Sequence, residues 1–229
     1  KSYLQSPSDS DVILALVSCI KQIGMKDYNL VIEHGFDIGL LNLLDCETDP
    51  NIQKHISNAL ETIVIVSNAP DRWLDFAKVV LVNGRLPLVQ PTQAELPADS
   101  LNEPGGQVSP VSWRTIACVT SCLVLLIDSS NDFVKRVRDV VNLVCRAVGS
   151  TDDAIRAAGL HGLGAVLRKY SALRDPVSPE DSLLQWDLPQ IKAAIRSAMV
   201  MESSPSVKEP ASVSCAELLI SDLMSNDDV

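Results

Sequence analysis

The chain has 229 residues, of which 46% are hydrophobic and 21% charged, and this composition excludes a disordered segment because it can bury a sizeable core. The formal net charge of −10 excludes a general phosphate-binding surface, since proteins that bind nucleic acids present a basic face. Aromatic residues make up only 4%, which favours an all-α fold over a β-sandwich built on aromatic pairs.

Apolar residues recur at steps of three and four through most of the chain, the spacing that lines one face of a helix. The pattern predicts helices, in chain order, over 9–24, 28–44, 50–67, 72–82, 111–127, 133–148, 151–170, 183–201 and 213–223. We expect interior breaks near Gly35, Gly39 and Pro189, and a kink or a delayed helix start at Pro210. Prolines and glycines over 83–109 predict a long loop.

Four of these helices begin with a recognisable start signal, in which a capping side chain precedes a proline or a second capping residue. The signals are Asp49-Pro50, Ser109-Pro110, Ser150-Thr151 and Ser204-Pro205. We expect Gly149 to end the preceding helix in the left-handed conformation, and Ser150 or Thr151 to cap the next helix. Each signal therefore opens the second helix of a helical pair.

These pairs predict a right-handed α-solenoid of HEAT or armadillo type, because each helix has an apolar stripe too wide to be covered by one partner. The predicted units are 26–67, 70–128 with the loop 83–109, 131–170 and 181–223, preceded by a half unit over 8–24. We treat 1–229 as one helical-repeat segment and expect it to be part of a longer solenoid.

A basic residue follows each of the four starts. These residues are Lys54, Arg114, Arg156 and Lys208, and we call them the basic ladder. The ladder can line a groove for an acidic peptide, since second helices form the concave surface of a solenoid. Alternatively, its members pair with acidic residues of neighbouring repeats and tie the stack together. A further basic region, 131–175, holds eight of the nineteen basic residues and is a second candidate for an anionic partner.

Enzymatic chemistry is not indicated by any motif. His34, His55 and His161 have no nucleophile or acid at a catalytic spacing, and no phosphate-binding glycine motif occurs. The six cysteines form no CxxC pair, so we expect reduced, mostly buried thiols and neither a metal nor a cofactor. No apolar run is long enough to span a bilayer, which predicts a cytoplasmic protein.

Two segments resemble HEAT repeats, in which an aspartate precedes an aliphatic-plus-basic pair and a small-plus-leucine pair. They are TDDAIRAAGLHGLGAVL at 151–167 and DPNIQKHISNALETI at 49–63. Further segments resemble, in the same order, the large HEAT-repeat-containing protein 5 family, which includes plant SWEETIE and the fungal accessory protein of a clathrin adaptor. They are WLDFAKVVL at 73–81, SWRTIACVTSCL at 112–123, VNLVCRAVGSTDDAIRAAGLHGLGAVLRKYS at 141–171, IKAAIRSAM at 191–199 and SSPSV at 203–207.

This resemblance implies a non-enzymatic scaffold in clathrin-adaptor-linked traffic between the trans-Golgi network and endosomes. It implies adaptor subunits or accessory proteins as partners, and leaves peripheral association with Golgi or endosomal membranes open. One alternative is a karyopherin-like carrier, which the acidic composition permits and which would bind basic cargo peptides. Another is a microtubule-associated HEAT array, which is disfavoured because the loop 83–109 contains one arginine and three acidic residues. The oligomeric state stays open.

Overall fold

The computed structural model describes residues 9–67, 69–86, 110–130, 132–200, 203–221 and 223. The α-helices of this part are α1 Asp9–Lys26, α2 Tyr28–Glu33, α3 Phe36–Cys46, α4 Pro50–Val66, α5 Pro70–Asn83, α6 Trp113–Ser129, α7 Val137–Val148, α8 Asp153–Tyr170, α9 Leu188–Ala198 and α10 Pro205–Ile220. Short 3-10 helices, Asp132–Arg136 and Gln185–Asp187, precede α7 and α9. Extended pairing in the described residues is limited to one bridge between Arg174 and Ser182, so the predicted all-α class is confirmed.

The helices pack in two layers. Helices α1, α4, α6, α8 and α10 lie side by side and form what we call the second-helix layer. Helices α3, α5, α7 and α9 form the first-helix layer, and each packs on the second-layer helix that follows it in the chain. This repeated pairing is the architecture of a HEAT-type solenoid, as the sequence predicted. The exact unit boundaries, including the half unit 8–24, stay a prediction.

The apolar stripe of α8 lies at the centre of this stack. Leu163 and Val166 are fully buried, and Ile155 and Tyr170 are nearly so. Gly159 lets α8 approach α7 closely, because a Cβ added there would lie 2.7 Å from the amide nitrogen of Val148. Helix α8 packs against α6, α7 and α10, which is why its stripe is wider than one helix can cover.

The structure corrects the predicted start of α8 and the predicted end of α7. Helix α8 is capped by Asp152, not by Ser150 or Thr151, because the Asp152 carboxylate accepts hydrogen bonds from the amides of Ala154 and Ile155 at 2.9 and 3.1 Å. Gly149 has φ of −78° and is therefore not left-handed. Its amide donates to the carbonyl groups of the last turn of α7, which closes that helix without a positive φ.

Helix α6 begins at Trp113 with Ser112 as its cap, three residues after the predicted Ser109-Pro110 start. Ser109 lies outside the described residues. The later start has a tertiary cause, since Asp45 of α3 accepts hydrogen bonds from the Ser112 amide at 2.7 Å and from the Thr115 hydroxyl at 3.0 Å. A contact with another helix therefore determines where α6 begins.

The predicted break is confirmed at Gly35 and wrong at Gly39, and the predicted helix 183–201 begins only at Leu188, beside Pro189. Gly35 separates α2 from α3 with φ of 64°, whereas Gly39 lies inside α3. Pro189 lies in the first turn of α9, where its missing amide costs nothing. Helix α10 runs through Pro210 without a delayed start, and Pro210 itself is buried. Packing of α10 on α8 outweighs the one hydrogen bond that the proline removes.

Candidate protein-binding surface

The four residues of the basic ladder lie within the first two turns of four helices of the second-helix layer. Lys54 belongs to α4, Arg114 to α6, Arg156 to α8 and Lys208 to α10. Lys54 and Arg114 are exposed, whereas Arg156 and Lys208 are half-buried. The helical registers therefore place two of the four cations where a partner protein can reach them.

The individual contacts of the ladder differ. The Arg114 guanidinium lies 5.1 Å from the ring centre of Trp113, and that ring is 49% exposed. Arg156 contacts the Asp153 carboxylate at 3.4 Å and donates to the Ser203 hydroxyl at 3.3 Å. Lys54 forms no ion pair with the described residues. The interpretation that the ladder pairs with acids of neighbouring repeats is wrong for Arg156, whose acidic partner lies on its own helix.

Contacts between neighbouring helices are instead made by charged residues that the sequence analysis did not single out. Arg72 of α5 contacts the buried carboxylate of Asp37 on α3 at 2.8 Å. Arg168 of α8 lies 3.8 Å from Asp128 of α6 and 3.4 Å from Glu217 of α10, so it spans three helices of the second-helix layer. Spacing along the chain does not show which helix a residue will face. A single sequence therefore carries no signal that identifies these partners.

The basic region 131–175 is mostly engaged in such contacts. Five of its cations contact carboxylates or carbonyl groups of other elements, namely Arg136, Arg138, Arg146, Arg168 and Lys169. The anionic-partner hypothesis for this region loses its support, because these cations already have partners within the chain. The excess of positive charge in this region is explained by helix packing.

An open groove of about 410 Å³ crosses three helices of the second-helix layer. Its walls are mainly apolar and include Val124 and Leu125 of α6 and Ala154, Ala157 and Ala158 of α8. Glu61 of α4 and His161 of α8 also line it. Burial raises the pKa of the Glu61 carboxyl group. Sequence analysis assigned Glu61 no role, because an acid at this position has the spacing of an ordinary solvated residue.

Two further cavities, of about 600 and 470 Å³, both have Arg146 in their lining. The Arg146 guanidinium donates to the carbonyl oxygens of Leu81 and Val82 at 2.6 and 3.4 Å, and so attaches α7 to the last residues of α5. The predicted loop 83–109 begins at this point, but residues 87–109 lie outside the described part of the chain.

All six cysteines are free thiols, but the expectation that they are mostly buried holds only in part. Cys118, Cys122 and Cys145 are buried, whereas Cys19 and Cys46 are exposed. Burial, followed by the charge of Asp187, raises the pKa of Cys145 to about 12, so this thiol is protonated at neutral pH. A thiol with so high a pKa is unreactive as a nucleophile.

Three or more metal-ligating side chains do not come together anywhere in the described residues. Among the described helices, none combines the length and the hydropathy needed to cross a bilayer.

Comparison with known proteins matches the C-terminal part of the chain to a family. The family described as the Laa1/Sip1/HEATR5 HEAT repeat region matches residues 132–229. The AP-1 accessory protein LAA1 of Saccharomyces cerevisiae is 27% identical over 124 residues, which make up 51% of this chain and 6% of that protein. The chain therefore spans a small fraction of the length of this curated relative. No solved structure matches.

Proposed function

We propose that the chain is a non-enzymatic scaffold in clathrin-adaptor-linked vesicle traffic, since its residues 132–229 match the Laa1/Sip1/HEATR5 HEAT repeat region. The similarity to an AP-1 accessory protein is the observation that carries this proposal. The proposed partners are subunits or accessory proteins of a clathrin adaptor. The proposed location is the cytoplasm, with peripheral association at trans-Golgi and endosomal membranes.

The packing of the chain supports a scaffold role. Stacked helical pairs contact mainly their neighbours, so the second-helix layer forms a continuous surface that a partner can follow. Arg168 connects three helices of this layer, because it contacts Asp128 of α6 and Glu217 of α10. A surface that is held in one arrangement binds with less loss of conformational freedom than a flexible one.

Within this surface, the basic ladder is proposed to contact acidic segments of the partner. Lys54 and Arg114 are the better candidates, because they are exposed and Lys54 has no ion pair with the described residues. Arg114 and Trp113 together offer a cation beside a half-exposed aromatic ring, a combination that is common at the centres of protein interfaces. Arg156 and Lys208 lie deeper and are proposed to contribute less.

Affinity capture from a cell lysate tests the function. The chain is immobilised, and bound proteins are identified by quantitative mass spectrometry. We expect adaptor subunits to be enriched over a beads-only control. Recovery of nuclear cargo would favour the karyopherin-like alternative, and recovery of tubulin would favour the microtubule-associated alternative. Either result would contradict the trafficking role and leave the HEAT-type fold unaffected.

A pair of charge-reversal variants tests the ladder. Lys54→Glu combined with Arg114→Glu is expected to lower adaptor recovery about 10-fold, since like charges across an interface repel. The matched control is Lys78→Glu on α5, an exposed lysine of the first-helix layer. Equal recovery with both variants would remove the ladder from the interface.

A further inference from the structure

We propose that the groove between α4, α6 and α8 binds an apolar segment of a partner protein that carries one lysine or arginine, and that this cation pairs with Glu61. The inference rests on the proposed scaffold function and deepens it, because it specifies what kind of segment the scaffold holds. It concerns a different part of the second-helix layer from the basic ladder, which would attract acidic segments.

The first step is the apolar character of the groove. Val124 and Leu125 of α6 are only half-buried, although they lie midway along a helix whose other apolar residues are mostly buried. Across from them, α8 presents Ala157 and Ala158, whose methyl groups are too short to cover the neighbouring valine and leucine. Short side chains on one wall and exposed aliphatic side chains on the other leave apolar surface that an incoming side chain can cover.

The second step is the state of Glu61. Its side chain is half-buried and lines the apolar groove, and its carboxylate forms neither a hydrogen bond nor an ion pair with the described residues. A carboxylate withdrawn from water is destabilised unless an opposite charge or a donor compensates it. Asp37, which is fully buried, has such a partner in Arg72. A cation supplied by a ligand would compensate Glu61 in the same way.

The third step is the shape of the groove. Its lining comes from three successive helices of the stack, and its volume of about 410 Å³ is open to solvent. An elongated segment can lie across all three helices, as an amphipathic peptide lies in a helix-lined groove. No lysine or arginine is among the described residues that line the groove. The groove therefore admits a cationic side chain.

Selection from a random-peptide display library on the immobilised chain tests the proposal. We expect the enriched peptides to share apolar residues and one lysine or arginine. A synthetic peptide of the enriched sequence is then titrated against the wild type and against variants, with fluorescence anisotropy as the readout. Glu61→Gln is expected to weaken binding at least about 10-fold, because a charge-assisted hydrogen bond is lost. Ala158→Trp, which fills the groove, is expected to abolish it.

Two controls separate recognition from misfolding. Glu209→Gln removes an exposed acid on α10, and is expected to leave peptide affinity unchanged. Glu61→Lys is expected to lose the selected peptide and to bind a version in which the basic residue is replaced by glutamate. A regained affinity of this kind requires direct contact, and a merely structural role of Glu61 would not produce it.

The following results would overturn the proposal. One is a set of selected peptides without a basic residue, and another is a peptide affinity that Glu61→Gln leaves unchanged. If the chain dimerises with rising concentration and Ala158→Trp abolishes that dimerisation, the groove binds a second copy of the chain instead.

Lysate capture with Glu61→Gln runs in parallel. Undiminished recovery of adaptor subunits would reject the groove and keep the scaffold function, whereas wild-type capture without adaptor subunits would reject that function.

Discussion

The two junctions at which α5 meets α3 and α7, its neighbours in the first-helix layer, are both ionic, yet they are built differently. At the α3–α5 junction, the Arg72 guanidinium donates to one oxygen of Asp37 at 2.8 and 3.1 Å, and the Asp37 side chain is fully buried. At the α5–α7 junction, Arg136 contacts three aspartates at 2.9 to 3.2 Å, and their side chains are 41 to 75% exposed. The first junction has fewer pairs and much deeper burial.

The comparison shows that burial, and not the number of ion pairs, determines how much a junction depends on its charges. Water and salt compensate the exposed aspartates around Arg136 when that contact is lost. No solvent reaches the Asp37 carboxylate, and among the described residues its other oxygen accepts a hydrogen bond only from the amide of Ile38, at 2.9 Å. Loss of Arg72 would leave this charge buried and largely uncompensated.

Arg72→Leu should therefore have the largest effect of the changes considered. We expect it to lower the free energy of unfolding by about 3 kcal/mol, because breaking one side of a buried pair leaves an uncompensated charge. Urea denaturation followed by circular dichroism measures the change. Adding Asp37→Asn should recover about 1 kcal/mol or more, since the buried charge is then removed as well. No recovery in the double variant would show that Arg72 stabilises mainly through its position over the Phe76 ring.

Lys169 tests a third kind of junction, in which a cation caps a neighbouring helix. Its ammonium group, at the end of α8, donates to the carbonyl oxygens of Ile127, Asp128 and Ser130 at the end of α6. We expect Lys169→Met to cost about 2 kcal/mol, because the methyl end cannot donate to these carbonyl groups. The matched control is Lys135→Met, an exposed lysine that should cost less than about 0.5 kcal/mol. Equal losses would mean that the capping contacts contribute nothing.

Tyr28 makes the buried junction sensitive to alkaline pH. Burial, followed by the charge of Asp37, raises the pKa of the Tyr28 phenol from 10.0 to about 12. The unfolded chain then loses this proton first as the pH rises, so stability is complete below pH 10 and falls between pH 10 and 12. We expect a loss of about 1 to 2 kcal/mol over this interval in the wild type and a smaller loss in Tyr28→Phe. Parallel pH profiles of the two proteins would rule out this role for Tyr28.

Arg136→Gln should have the smallest effect, although it removes three contacts at once. We expect a loss of no more than about 1 kcal/mol, since exposed pairs contribute little. The loss should shrink further when urea denaturation is repeated in high salt, because salt screens exposed charges. A loss larger than that of Arg72→Leu, or one that salt leaves unchanged, would reverse the comparison between the two junctions.

Sequence patterns predicted the helices well where the signal is local. The Asp49-Pro50 start is confirmed, because a capping carboxylate and a proline act on the amides directly beside them. The break at Gly35 is confirmed for the same reason, since its positive φ is a property of one residue. The start of α6 was wrong by three residues, because Asp45 on another helix anchors Ser112 and Thr115.

The candidate surfaces were predicted less completely than the helices. The sequence located the basic ladder on the second helices, but it could not distinguish exposed Lys54 from half-buried Arg156. It did not indicate the groove at all, because Glu61, Leu125 and Ala158 come from three separate helices. Periodicity shows which residues share one face of a helix. It does not show which other helix that face contacts, or whether solvent covers it.

The sequence by itself determined the all-α class and the helical pairs, since apolar periodicity, capping residues and repeat motifs are local and additive along the chain. Only the tertiary structure decided which charges are paired. Arg72 and Arg136 look alike in the sequence, but the packing of α5 between α3 and α7 buries the partner of one and leaves the partners of the other in water. Electrostatic energy depends on distance and burial, and both are set by the packing of the layers.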